Sequence, residues 1–157
     1  ENKVIQALLE AHPYEEVAYD VVTLDNAYSQ VGSGMVGNLK KPVEELQFLK
    51  LVKKNLKTDS IRFTKLLGKP VKRVAVCGGS GRFLLNNAIA ANADVFITSD
   101  FKYHDFFDAD NKVVVADVGH YESEQFTKEL LQEQIVRKFP MFVAQISKIS
   151  TNPINYL

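Results

Sequence analysis

The chain has 157 residues, of which 46% are hydrophobic, enough for one respectable core and a small appendage. Nineteen Lys plus Arg balance nineteen Asp plus Glu, so no net field recommends nucleic acid or an acidic membrane surface as a partner. No apolar stretch approaches the roughly 20 residues that cross a bilayer, and the single cysteine, Cys77, cannot form an internal disulfide, which fits a soluble, cytoplasmic protein.

The chain opens on Glu1 and enters a helical pattern at once, with Val4, Ile5, Leu8 and Leu9 on one face and no upstream start signal, so it reads as a fragment. Pro13 ends that helix, and residues 17–24 alternate as a strand. Residues 25–34 mix Asn, Ser, Gln and Gly without period and mark a linker and boundary. Residues 35–39 form a short apolar strand. Pro42, Glu44 and Glu45 then suit the positive end of a helix whose buried stripe is Leu46, Leu49, Val52 and Leu56. A weaker strand at 61–63 precedes a turn at Gly68 and Pro70.

From residue 73 the pattern is strongly α/β. The apolar run 73–77 leads into Gly78-Gly79-Ser80-Gly81, expected to be a tight strand-to-helix turn, and a helix through Leu84, Leu85, Ala88 and Ile89. Residues 94–98 and 112–117 repeat the buried-strand signature. A helix over 123–137 should turn Phe126, Leu130 and Leu131 inward, 142–149 should close as a strand, and the polar tail 150–157 has little to bury. The natural packing is a mostly parallel sheet with flanking helices and right-handed crossovers.

Chemistry in an open parallel sheet gathers beyond the carboxyl ends of its strands. There, Asp100 and His104 stand four apart, as do His120 and Glu124. Imidazole plus carboxylate on one helical turn suits zinc, iron or manganese, yet two ligands do not close a coordination shell. The plainer accounts are a solvated His120–Glu124 pair, and Asp100 as a helix cap with His104 bonded locally. Gly78-Gly79-Ser80-Gly81 lacks the Lys-Ser/Thr of a phosphate-binding loop. No Ser-His-Asp or Cys-His arrangement recommends nucleophilic catalysis.

The ordered motifs HPYEE, VAVCGGSG, DVFITSDFKYHD and DVGHYESE, together with Gly34-Met35-Val36-Gly37, resemble the second half of the NGG-one-interacting-factor-three-like family, also called GTP cyclohydrolase I type 2 homologues. That resemblance implies half of a three-layer α/β metal-binding core over 33–157, and over 1–32 the tail of an inserted ferredoxin-like module similar to PII or CutA domains. It implies a two-metal centre drawn from both halves of the intact protein, with His120 and Glu124 as this half's ligands and weak or absent metal retention here. In a hydrolase built on that centre, Asp100 and His104 are the expected catalytic residues, orienting a ligand or the attacking water, and Tyr103 could touch substrate. The activity implied is metal-dependent hydrolysis of a nucleotide-like small molecule. The alternative is a non-catalytic metal-binding or regulatory scaffold. A ring-like homo-oligomer is the implied partner arrangement. Ser99 departs from the family's usual Thr-Gly-Asp, and serine would strain the turn if that glycine has a positive φ.

Overall fold

The computed structural model describes residues 2–22 and 31–157, and the chain divides into two units, Glu1–Val31 and Gly32–Leu157. In the first unit, helix α1 (Asn2–Ala11) forms where the i, i+4 pattern places it. Gln6 Nε2 donates to Glu10 Oε1 across one turn at 2.9 Å, and the helix buries none of its residues. Of the strand expected over 17–24, residues 17–22 take no regular structure, and 23 and 24 lie outside the described residues. Most of the expected linker 25–34 also lies outside them.

The second unit is built on one five-stranded sheet. Its strands are β1 (Met35–Val43), β2 (Arg62–Phe63), β3 (Val71–Ser80), β4 (Val95–Ser99) and β5 (Val114–Asp117), in the spatial order β1-β3-β4-β5-β2. The three central strands are parallel, with Val74 opposite Val95 and Val95 opposite Val114. Both edge strands run antiparallel to their neighbours. The sheet is therefore mixed, which corrects the expectation of a mostly parallel one. Apolar runs identify buried strands but carry no signal of direction, and only the long crossovers between β3, β4 and β5 enforce parallel pairing.

Both faces of the central strands are covered, which explains why they are continuous Val, Ala and Phe runs instead of alternating ones. Val71, Val95, Val114 and Ala116 pack with Phe48, Leu49 and Val52 of α2 (Glu45–Leu56). Ala75, Cys77, Phe96 and Val115 pack with Leu85 and Ala88 of α3 (Leu85–Ala90) and with Phe101. Each such large side chain contributes on the order of 1.5–3 kcal/mol on leaving water. Asp94 fastens the start of this layer, accepting from the backbone N–H groups of Lys72 at 2.9 Å and Arg73 at 2.7 Å and pairing with Lys69 at 2.7 Å.

Several elements differ from expectation for identifiable reasons. Glu44 caps α2 through the Gln47 N–H at 2.9 Å, and the buried stripe is Phe48, Leu49 and Val52, whereas Leu46 is exposed. Glu45 is buried because its carboxylate accepts from Leu67 N–H at 2.7 Å and Gly68 N–H at 2.9 Å, holding the loop before β3. Gly78-Gly79-Ser80 continues β3 in place of forming a turn, and Gly81 leads into a 3-10 helix, Arg82–Leu84, ahead of α3. Short α4 (His120–Glu124) precedes α5 (Thr127–Lys138), whose Leu130 and Leu131 face solvent, not the core. Residues 142–149 form no strand. Among the described residues, no helix is long and apolar enough to cross a membrane.

Candidate functional site

The loops after β4 and β5 lie side by side beyond the carboxyl ends of those parallel strands, the end of an open α/β sheet at which ligands bind. Asp117, the last residue of β5, is buried and organises both loops. Its Oδ2 accepts from the Phe101 N–H at 3.0 Å and its Oδ1 from the Gly119 N–H at 3.2 Å. Arg62 completes the arrangement by pairing with Asp117 and donating to the Phe101 carbonyl at 2.9 Å. One carboxylate thus fixes the residue after Asp100 and the residue before His120.

Asp100 occupies the left-handed region at φ +61°, which Asp tolerates better than most residues because its short side chain bonds locally. Ser99 ends β4 outside that region. The serine therefore does not bear the strain anticipated for it; the turn is made one residue later.

Within this frame, His120 Nδ1 lies 2.6 Å from Asp100 Oδ2, and His120 Nε2 lies 3.4 Å from Glu124 Oε2. A carboxylate only accepts, so Nδ1 carries the proton, and in the neutral imidazole the Nε2 lone pair is left 3.4 Å from the Glu124 carboxylate. Two electron-rich groups facing each other require a proton or a cation between them. In the protein alone the proton answers this need. The hydrogen bond to Asp100 pushes the His120 pKa up against the opposing effect of partial burial, and the charges of Asp100 and Glu124 add to the rise.

The helical turn that carries both residues is clamped to the sheet. Ser123 Oγ accepts from the Gly79 N–H at 2.8 Å and donates to the His120 carbonyl at 2.8 Å. Gly79 has φ +63°, and a Cβ there would stand 2.5 Å from Glu124 Oε1 and 3.2 Å from His120 Cε1. The second glycine of Gly78-Gly79-Ser80-Gly81 is therefore a floor under the imidazole and carboxylate. On the same helix, Glu122 is buried and accepts from Asn152 Nδ2 at 3.1 Å. A Cβ on Gly119, at φ +92°, would fall 2.1 Å from Glu122 Oε2. Burial first, and then the charge of Glu122, push the Tyr156 phenol up, and burial followed by the charge of Glu124 does the same to the Cys77 thiol.

His104 stands elsewhere. It lies on the 3-10 helix Tyr103–Ala109, with its ring edge-on to Tyr103 at 5.1 Å and tilted against Phe107 at 6.5 Å. Among the described residues, no hydrogen bond or ion pair joins it to Asp100, His120 or Glu124. The structure brings Asp100 together with His120 and Glu124 and leaves His104 on a neighbouring aromatic rim. Asp117, Ser123 and Gly79 were missed as site residues in the sequence. An acid ending an otherwise apolar strand, Val113-Val114-Val115-Ala116-Asp117, was the available signal for the first.

The donor set fits a divalent cation in part. Two ligands about 2.1 Å from one tetrahedral cation stand roughly 3.4 Å apart, and His120 Nε2 and Glu124 Oε2 have that separation. A carboxylate on the far ring nitrogen is the usual orienting partner of a metal-binding histidine. Among the described residues, no group of three or more His, Cys, Asp or Glu side chains is arranged to hold a metal, so this pair would be part of a coordination shell.

The profile of the Duf34/NIF3 (NGG1p interacting factor 3) family matches residues 1–153. A Staphylococcus epidermidis protein named GTP cyclohydrolase 1 type 2 homolog is 35% identical over 155 residues, covering 96% of this chain and 42% of its own length. A Bacillus subtilis protein of the same name is 34% identical over 163 residues, covering 100% of this chain and 43% of its own. Among solved structures, a Bacillus cereus protein described as related to NIF3 superposes with a TM-score of 0.70 at 36% identity, over 99% of this chain and 44% of that one. A Staphylococcus aureus protein superposes with a TM-score of 0.78 at 30% identity, over 99% of this chain and 46% of that one. The chain spans less than half the length of the curated relatives it matches.

Proposed function

Because this chain belongs to the Duf34/NIF3 family, we propose that it supplies His120 and Glu124 to a divalent-metal centre in a metal-dependent hydrolase acting on a nucleotide-like substrate. The observation that carries this is the facing of His120 Nε2 and Glu124 Oε2 at 3.4 Å while Nδ1 is held by Asp100 at 2.6 Å. Zinc, iron and manganese all accept mixed imidazole and carboxylate ligands. The remaining ligands of a two-metal centre come from outside these residues, so metal retention by this chain alone is weak.

When bound, the cation would lower the pKa of a coordinated water toward neutrality and supply the nucleophile for hydrolysis. The chain's own residues do the positioning. Asp100 accepts the hydrogen bond from His120 Nδ1–H and so fixes the tautomer and plane of the ring. Ser123 keeps α4 seated on β3, and Gly79 leaves room for the Glu124 carboxylate. His104 and the exposed Tyr103 are assigned to substrate contact and orientation from the adjoining rim. We assign self-assembly into a ring to the longer protein, in the cytoplasm.

The test is a turnover screen of nucleotides with a metal-loaded protein of the relatives' length, wild type against His120→Ala. Metal-dependent hydrolysis that disappears in the variant is the expected result. Metal binding without turnover on any nucleotide would instead make the protein a metal-binding scaffold.

A further inference from the structure

A cavity of about 620 Å³ opens directly beside His120 and Glu124, between the start of α5 and the segment 147–154. Its size is in the range that encloses a small organic ligand. The wall formed by 147–154 is tied to α4 through Asn152, whose Nδ2 donates to the buried Glu122 carboxylate at 3.1 Å. The lining divides by chemistry. Ile149, Pro153 and Ile154 are its apolar residues, and Thr127 and Thr151 its hydroxyl-bearing ones. Lys128 is the one cationic side chain in the lining apart from His120, and among the described residues it has no ion-pair partner. The acid in the lining, Glu124 at the end of α4, lies with its Oε2 3.4 Å from His120 Nε2.

We propose that this cavity is the substrate-reading half of the site, taking a ring-bearing phosphate monoester. The ring lies on Ile149, Pro153 and Ile154, and the phosphate is held by Lys128 with Thr127 and Thr151. This rests on the hydrolase assignment above for what happens at His120 and Glu124, although binding in the cavity does not require the metal. An ammonium is a point-like phosphate partner that needs no bidentate geometry, and hydroxyls supply the additional donors a phosphate accepts.

The experiment is a calorimetric and ¹⁵N-resolved NMR titration of the chain in the presence of a chelator, using guanosine 5′-monophosphate, guanosine and inorganic phosphate as probes. The monophosphate should bind roughly five- to tenfold more tightly than guanosine, the gain expected of a partly exposed charge-assisted contact, and more tightly than phosphate alone. Its shifts should map to Thr127, Lys128, Ile149 and Ile154. Lys128→Gln should bring the monophosphate down to the affinity of guanosine and leave guanosine unchanged. No binding, equal affinities for the monophosphate and guanosine, phosphate binding as tightly as the monophosphate, or a Lys128→Gln variant that keeps wild-type affinity would each overturn the assignment. Because the chelator removes metal from the experiment, failure here is separable from failure of the metal centre.

Discussion

Replacing Gly79 by alanine perturbs the backbone and the candidate metal site at one atom. The residue sits at φ +63°, where an L side chain costs roughly 1–2 kcal/mol. The new methyl would also stand 2.5 Å from Glu124 Oε1 and 3.2 Å from His120 Cε1, so the carboxylate must swing away from Nε2. For a domain of this size, 1–2 kcal/mol lowers Tm by about 2–8 °C. Displacing a ligand carboxylate should weaken zinc binding by about ten- to a hundredfold, the scale seen when a metal site's supporting contacts are removed. Gly37→Ala is the control: it lies in β1 with nothing within 4 Å of the would-be Cβ, and its change in stability should stay within about 0.5 kcal/mol. Thermal unfolding followed by circular dichroism, with zinc competition against a chromophoric chelator in the longer protein, reads both quantities. Wild-type Tm and wild-type zinc affinity in Gly79→Ala would refute the close packing of Glu124 on β3.

Two further outcomes concern the supports of the site and sheet. Burial pushes the Asp94 carboxyl up, but hydrogen bonds from the Arg73 and Lys72 backbone and from Lys69 outweigh it and leave the pKa below the usual carboxylate value. A depressed folded pKa means that the stabilisation is fully present above the unfolded value of about 3.9 and is lost as pH falls through the lower folded value. Asp94→Ala should therefore flatten the acid limb of the stability profile, measured by urea midpoints between neutral pH and pH about 3; an unchanged limb would contradict that role. Asp117→Asn should cost about 1–3 kcal/mol, since the new amide turns donors toward the Phe101 N–H or the Gly119 N–H, both of which donate to the present carboxylate. Its ¹⁵N spectrum should show changes at both loops together, and changes confined to one would show that Asp117 does not couple them.

The central strands were legible because residues buried on both faces of a sheet must be continuously apolar, and Val113-Val114-Val115-Ala116 admits little else. Strand direction was not legible: nothing in Met35-Val36 of β1 or in Arg62-Phe63 of β2 encodes direction, and their antiparallel pairing is set by where the chain returns in space. Leu130 and Leu131 have the periodicity of a buried stripe, yet α5 buries no residue among those described, because periodicity shows which face is apolar and not whether anything covers it. Gly78-Gly79-Ser80-Gly81 has turn composition, but Gly79 serves a close approach by His120 and Glu124 from α4, a contact about forty residues away that no local pattern encodes. The four-residue spacing of His120 and Glu124 was visible, whereas the Asp100 hydrogen bond depends on β4 and β5 being neighbours. The equal spacing of Asp100 and His104 misled, because the chain between them enters a 3-10 helix only at Tyr103 and directs His104 to the aromatic rim.

The most direct measurement is metal content by mass spectrometry of digested protein, for this chain and for a protein of the relatives' length, each as wild type and His120→Ala. About two divalent ions in the longer protein, fewer in its His120→Ala variant and only traces in the 157-residue chain is the expected pattern. Trace metal in every sample, or a count that His120→Ala leaves unchanged, would reduce His120 and Glu124 to an ordinary ion pair and contradict the metal centre.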